Sequence, residues 1–320
     1  MFKVIDLAPE GKPLASEDST MVGPPEIGHL RWVELIETDQ TALDLLRERF
    51  GFHPLALEDC ATFEMRSKFD EYWDHLFIVL HTFTASPSDP TEIQIHEVHS
   101  FLSPHYLVTV HDNPLPAADT AWRKAAESRE VLEFGTSWAF YRTVDYMIDA
   151  TFPVIEQLVD RVEKIEDRVL TSGAPVDLGP LFSIRSTLVT MRRVMRPVRD
   201  VIAMVQRRTE PPFSERTSRY FRDVQDHVLR CLETMDEADG LISNTIQANE
   251  TAQGNRTNAI MTKLTVFSAI FLPLGFVTGF WGQNFHDLPI ASTGWFYVML
   301  GVTVGLPVGL LTWFKSKGWL

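Results

Sequence analysis

The stretch that decides the fold is Leu264–Trp281, LTVFSAIFLPLGFVTGFW, 18 residues without a charged side chain. A second, Trp295–Phe314, WFYVMLGVTVGLPVGLLTWF, runs 20 residues in the same way. About 20 apolar residues cross the ~30 Å hydrocarbon core of a bilayer. Both stretches are bounded by aromatic residues (Phe280, Trp281, Trp295, Tyr297, Trp313), as expected of an interfacial belt. Arg256 and Lys263 precede the first, Lys315 and Lys317 follow the second, and the loop Gly282–Gly294 has no Lys or Arg. The positive-inside rule then places both ends in the cytosol and the loop outside. Two buried core helices of a soluble protein are the competing reading, but they would require neither the aromatic ends nor the one-sided basic flanks.

Outward from these spans the chain changes character. Its 320 residues carry a formal net charge of −14. From Arg256 onward the charges are Arg256, Lys263, Asp287, Lys315 and Lys317, a sum of +3 that leaves −17 on residues 1–255. An acidic body therefore precedes an almost uncharged tail. That acidity excludes the basic face of a nucleic-acid binder and suits a body that gathers cations. Cys60 and Cys231 lie far apart and form no framework. Met1–Glu10 has neither a basic n-region nor an apolar h-region, so the body is expected to be cytosolic.

The body divides in two by pattern. His29–Ile36 alternates as a strand, Asp39–Phe50 reads as an amphipathic helix with Leu43, Leu46 and Phe50 on one side, and strand-like runs follow at His75–Phe83, Glu92–Leu102 and Tyr106–Val110. The first 115 or so residues thus predict a mixed sheet with helices. Helical spacing then runs over Thr136–Leu170, stopped at Gly173–Pro175, and over Leu178–Arg208, ended by Pro211–Pro212. A third run starts near Ser214 and, if continuous to Trp281, is a helix of roughly 100 Å. The expected fold class is α+β: an N-terminal α/β domain (1–135), a helical region with a long stalk helix (136–255) and a two-span membrane region (256–320).

Enzyme chemistry is not evident. There is no P-loop and no G-x-G-x-x-G. His96-Glu97-Val98-His99 has the wrong spacing for a zinc protease, and on a strand its histidines face opposite sides, so both read as strand residues. No nucleophile–base pair stands out.

The first span carries a stripe instead. Asn258, Met261, Thr265, Ser268, Leu272, Gly275, Gly279 and Gly282 follow a heptad progression and are polar, small or flexible. Such a face suits tight helix packing or the lining of a pore, and the pattern alone leaves both open. Two spans cannot enclose a water path, so conduction requires an oligomer with the stripe toward its axis, and parallel copies of one helix would produce this seam. Pro273 removes one backbone hydrogen bond within it.

Beyond the span comes Trp281-Gly282-Gln283-Asn284-Phe285. The segment Asn258–Pro289 resembles the membrane segment of the CorA family of divalent-cation transporters, whose signature is Gly-Met-Asn at the end of the first of two spans. Phe50–Asp59 (FGFHPLALED) resembles the family's N-terminal motif, Tyr220–His227 (YFRDVQDH) its long-helix motif, and Lys315–Leu320 (KSKGWL) its terminus.

The resemblance implies a homopentamer in the inner or plasma membrane, with an α/β cytosolic domain, a funnel of long helices and both termini inside. It implies Gly282, Gln283 and Asn284 as selectivity filter. A ring of five Asn284 carbonyls would accept hydrogen bonds from the waters that Mg²⁺ holds tightly. Met261, Leu264 and Leu272 would form hydrophobic constrictions and Asn258, Thr265 and Ser268 polar relays, with Gly275 and Gly279 completing the lining. It further implies Asp59 and Asp223 as carboxylates meeting across subunits around a regulatory divalent ion, Asp226 assisting and Glu58 a weaker candidate; by themselves these read as solvated or capping acids. Mg²⁺ is thus expected as cargo and regulator, with Co²⁺ and Ni²⁺ also carried and no organic cofactor. Gln283 departs from the family's Met, Gly275 from a Thr common in the pore, and the loop after Pro289 lacks an acidic residue often found there. A branch typified by ZntB moves Zn²⁺ and varies the same tripeptide, so Zn²⁺ transport is the second expectation and a non-conducting membrane cation sensor the third.

Overall fold

The computed structural model describes residues 1–86, 89, 91–129, 134–171, 176–283 and 292–319. Its contacts divide it into two compact units, Met1–Arg168 with Asp177–Thr245, and Val169–Val176 with Ile246–Leu320.

The first unit is organised by a sheet of seven strands: β1 (Phe2–Leu7), β2 (Leu14–Ser16), β3 (Leu30–Ile36), β4 (Lys68–Glu71), β5 (Leu76–Ala85), β6 (Ile93–Leu102) and β7 (Tyr106–His111). They lie in the order β2-β1-β3-β7-β6-β5-β4. Only the β3–β7 pairing is parallel, so the sheet is mixed, as the sequence predicts. The apolar runs at β5, β6 and β7 are buried nearly throughout because the sheet is covered on both sides.

On one side pack α1 (Gln40–Phe50) and α2 (Pro54–Thr62). Leu43, Leu46, Phe50, Ala56, Leu57 and Cys60 join Val33, Val79, Phe101 and Val108 in one core. The chain passes between these helices through the left-handed Gly51 (φ 71°), which terminates α1 at low conformational cost. His53 then caps α2, its Nδ1 accepting the Leu55 amide at 3.2 Å, with Pro54 at the first helical position. That local arrangement fixes α2, and with it Asp59. On the sheet's other side lie α3 (Pro116–Glu127) and α4 (Thr136–Asp149). Trp32 meets Trp122 edge to face at 5.1 Å, and Thr82 donates to the Met147 carbonyl at 2.7 Å.

The helix expected over Thr136–Leu170 is two helices, α4 and α5 (Thr151–Thr171), abutting at Ala150. Pro153 supplies the reason: without an N–H it leaves the Asp149 carbonyl without its helical donor, and its ring crowds that turn. Gly173–Pro175, expected to stop the run, lie outside the described residues. α6 spans Gly179–Gln206 and α7 spans Glu215–Trp281, 67 residues in a single helix. The two run antiparallel, with Arg185 paired to Asp239 and Arg192 to Asp236, each at 2.8 Å. A heptad seam of α7 (Phe221, Val224, Val228, Cys231, Met235, Ala238, Ile242) is buried, with Phe221 packed on Phe140, Tyr141 and Phe213.

The second unit holds the C-terminal part of α7 and the helix α8 (Thr293–Ser316). Both contain an apolar window long enough to cross a membrane. Val266, Ala269 and Ile270 of α7 pack on Leu310 and Phe314 of α8, and Trp281 meets Trp295 at 5.8 Å.

Candidate functional site

The stripe predicted on the first span lies on the face of α7 that its own chain leaves open. Asn258, Met261, Leu264, Thr265, Ser268, Leu272, Gly275 and Gly279 are all exposed. Val266 and Ile270, on the far side of the same turns at 3.6 residues per turn, are buried against α8. A Cβ built on Gly275 or Gly279 would meet nothing within 4 Å. Helix packing within the chain therefore uses Val266, Ala269 and Ile270 and none of the stripe.

Thr265 donates its hydroxyl to the Met261 carbonyl at 2.8 Å, which turns the oxygen's lone pairs away from the helix. Pro273 lies inside the helix and leaves the Ala269 carbonyl without its amide donor. The helix ends at Trp281. Gly282 then bonds back to Thr278 at 3.0 Å, and a Cβ at Gly282 would stand 3.3 Å from that carbonyl, so only glycine makes the close approach freely. Gln283 follows, its amide donating to the Phe280 carbonyl at 3.3 Å. Asn284, the expected ion-facing residue, lies outside the described residues, as does Asp287.

The acidic candidates fall in two different settings. Asp59 on α2 is largely buried and ion-paired with Lys68 at 2.7 Å. Lys68 also holds Asp70 at 2.7 Å. Burial works against the Lys68 ammonium, but the hydrogen bonds and charges of Asp59 and Asp70 outweigh it and raise its pKa. Glu58 next to it is exposed.

Asp223, by contrast, is an exposed carboxylate on α7, 4.0 Å from His227 Nε2 one turn on. Asp226 is exposed on the same helix. The sequence reading missed what stands beside them. Asp145 and Asp149, near the end of α4, bring carboxylate oxygens and His227 a ring nitrogen all within 4.8 Å of one another. His227 Nδ1 lies 3.2 Å from Asp149 Oδ1, yet it is buried and no hydrogen-bond geometry satisfies it. Asp145 is nearly enclosed. Burial, then the charge of Asp149, pushes its pKa up, against Arg142, whose guanidinium donates to it at 2.9 Å. The i, i+4 spacing of Asp145 and Asp149 was the available signal, but only the packing of α4 on α7 turns it toward His227. Carboxylates suit a hard ion such as Mg²⁺ with waters retained, and the imidazole adds a nitrogen that Co²⁺, Ni²⁺ and Zn²⁺ favour. The structure does not bring Asp59 and Asp223 together within one chain.

An acidic α/β body and two helices long and apolar enough to cross a membrane are the frame of a membrane protein. The chain belongs to the CorA family: the family's model, described as CorA-like Mg2+ transporter protein, matches residues 28–316. YfjQ of Bacillus subtilis is 30% identical over 289 residues, covering 90% of this chain and 89% of its own. The cobalt/magnesium transport protein CorA of Thermotoga maritima is 27% identical over 292 residues, covering 90% and 83%. The fold matches that of the CorA magnesium transporter of Methanocaldococcus jannaschii with a TM-score of 0.84 at 18% identity, over 100% of this chain and 99% of that one. The protein is thus a divalent metal transporter of a membrane-protein family, and that family is one of transporters and channels rather than enzymes.

Proposed function

We propose that the protein is a Mg²⁺ channel of the plasma membrane, also passing Co²⁺ and Ni²⁺ and closed by intracellular divalent ion. It works as a homopentamer of three-part subunits (1–135 α/β, 136–255 helical, 256–320 membrane) with both termini cytoplasmic. The observation that carries this reading is the open stripe: α8 covers the opposite face of α7, so the polar and small side chains are free to surround an axis shared by five copies. Hydrated Mg²⁺ holds its waters tightly. A ring of Asn284 side chains after Gly282 and Gln283 would bind those waters without stripping them. Thr265, Ser268 and Asn258 would pass the ion between the constrictions at Leu272, Leu264 and Met261, where dewetting closes the path.

Regulation is assigned to the acidic body. Asp223 and Asp226, with Asp59, hold the regulatory ion across subunits, and Asp145, Asp149 and His227 complete its surroundings. Such an ion offsets the repulsion of strongly acidic subunits. Zn²⁺ is the second reading, favoured by Gln283 in the filter and by His227 among the carboxylates.

Flux through liposomes containing the full-length protein and an ion-sensitive dye tests both readings. Mg²⁺ flux in the parent and none in Asn284→Ala, with assembly intact, is the expected result. Zn²⁺ flux exceeding Mg²⁺, or dependent on a pH gradient, selects the second. If Asn284→Ala conducts at the parental rate, the filter assignment is wrong. A stable monomer or dimer by native mass spectrometry would overturn the pore itself.

A further inference from the structure

The segment His96–His99 enters no transport step, yet two of its residues belong to a buried polar chain on the α2 side of the sheet. Strand register sets His81 opposite Glu97, and Val79 opposite His99. Alternation then places His81, Glu97 and His99 on one face. Ser67 Oγ lies 2.7 Å from His81 Nδ1, and His81 Nε2 lies 3.5 Å from Glu97 Oε1. Glu97 Oε2 is 3.0 Å from His99 Nε2, and His99 Nδ1 is 3.2 Å from Cys60 Sγ. The Met65 amide also donates to Glu97 at 3.2 Å.

Donor counting identifies the member that can take a further proton. An ionised carboxylate only accepts, so both Nε2 atoms facing Glu97 carry hydrogen. The bare Nδ1 of His99 is then served by the Cys60 thiol, which burial keeps protonated by raising its pKa. A second proton on His99 would meet only that sulfur, a weak acceptor. The Ser67 hydroxyl can reverse, donating to a neutral His81 or accepting from a charged one. His81 also lines a cavity of about 180 Å³ with Met65, Arg66, Ser67, Arg193, Val194 and Pro197, wide enough for water to deliver the proton.

We infer that His81 is a proton-binding site inside the α/β body, coupled to the Asp59–Lys68 ion pair through Ser67 and Cys60, the chain neighbours of Lys68 and Asp59. The groups facing it are Glu97 from β6, Ser67 and Arg66 leading into β4, and Arg193 from α6, with His99 and Cys60 lying beyond Glu97. Glu97 favours the proton; the two guanidiniums oppose it. Burial alone would raise the Glu97 pKa, but hydrogen bonds and charge from His81 and His99 bring it to about 2, so the carboxylate stays ionised where histidines titrate. The proton site stands without the transport reading; only the significance of Asp59 for regulation rests on that reading.

Hydrogen exchange at histidine C2–H, read by mass spectrometry on the full-length protein in detergent, gives each histidine its own titration. We expect His81 to take up the added proton ahead of His99, because Ser67 can accept from it. Ser67→Ala should lower the proton affinity of His81 at least about three-fold and Glu97→Gln at least about ten-fold, one pH unit or more. Should Glu97→Gln fail to fold, Ser67→Ala carries the test alone. A His81 that takes up no proton ahead of His99, or whose proton affinity is the same in the variants that fold, overturns the site. Amide protection over residues 54–71, corrected for the intrinsic pH dependence of exchange, should differ between pH 8 and pH 5.5 in the parent and differ less in Ser67→Ala. An equal response in both overturns the coupling.

Discussion

Two halves of one helix obey the same heptad rule and end in opposite states. From Phe221 to Ile242 the seam of α7 is apolar and buried by its own chain. From Asn258 to Gly279 a second seam, on another face, is polar or small and stays open, while Val266 and Ile270 take over the packing. A heptad seam by itself says only that something faces it. Composition tells the two apart: apolar side chains are satisfied by neighbouring side chains, whereas Thr265, Ser268 and exposed glycines call for water, an ion or a second copy of the helix.

The largest expected effect breaks this contrast directly. Ser268→Phe puts an apolar ring on the open seam and should cut Mg²⁺ flux at least about 100-fold without lowering the melting temperature. Ile270→Ala, on the packed face, should do the reverse. It should cost stability at the low end of the roughly 2–5 kcal/mol of a buried Ile→Ala, since lipid rather than water receives the exposed surface, and flux per folded protein should persist. If both variants lose only stability, the stripe is a packing face.

The acidic body sharpens the same comparison between satisfied and open groups. Asp59 already has Lys68; among the described residues Asp223 and Asp149 pair only with His227 and with no lysine or arginine. Asp223→Ala should therefore weaken Mg²⁺ protection of the full-length protein against protease about ten-fold in concentration, or about 1.4 kcal/mol. His227→Gln should do less, reducing protection by Co²⁺ or Ni²⁺ a few-fold and leaving Mg²⁺ protection unchanged. Equal losses for all three ions would remove the imidazole from the site.

The smallest effect concerns Asp145. Its folded pKa is raised, so the folded state binds the proton more tightly than the unfolded chain. That contribution to stability is fully present below the unfolded pKa, about 3.8, and is lost as pH rises through the folded value. At neutral pH the carboxylate is thus a burden, relieved by a cation. Asp145→Asn should raise the melting temperature by a degree or two without divalent ion and shrink the further rise that Mg²⁺ brings. A lower melting temperature in ion-free buffer would contradict this sign.

Much of the architecture was legible in the sequence because its signals are local or long. Two uncharged apolar stretches, a helical run from Ser214 with no proline before Pro273 and alternation at β3 and β5–β7 each declare themselves within a single element. β1 and β4 were not legible. Lys68–Glu71 is short and charged, and it becomes a strand only because β5 offers it an edge. The break at Ala150 hid behind continuous apolar spacing, although Pro153 marked it.

What the sequence determined by itself was the membrane tail, the stripe and the acidic body, since hydropathy, charge and period are properties of the chain. What only the tertiary structure decided was which groups meet. It gave Asp59 a lysine, set Asp145 and Asp149 against His227 across two helices, and aligned Ser67, His81, Glu97, His99 and Cys60 on one sheet face. It also turned the stripe away from α8. Contacts between residues far apart in the chain depend on register and packing, and no local pattern encodes them.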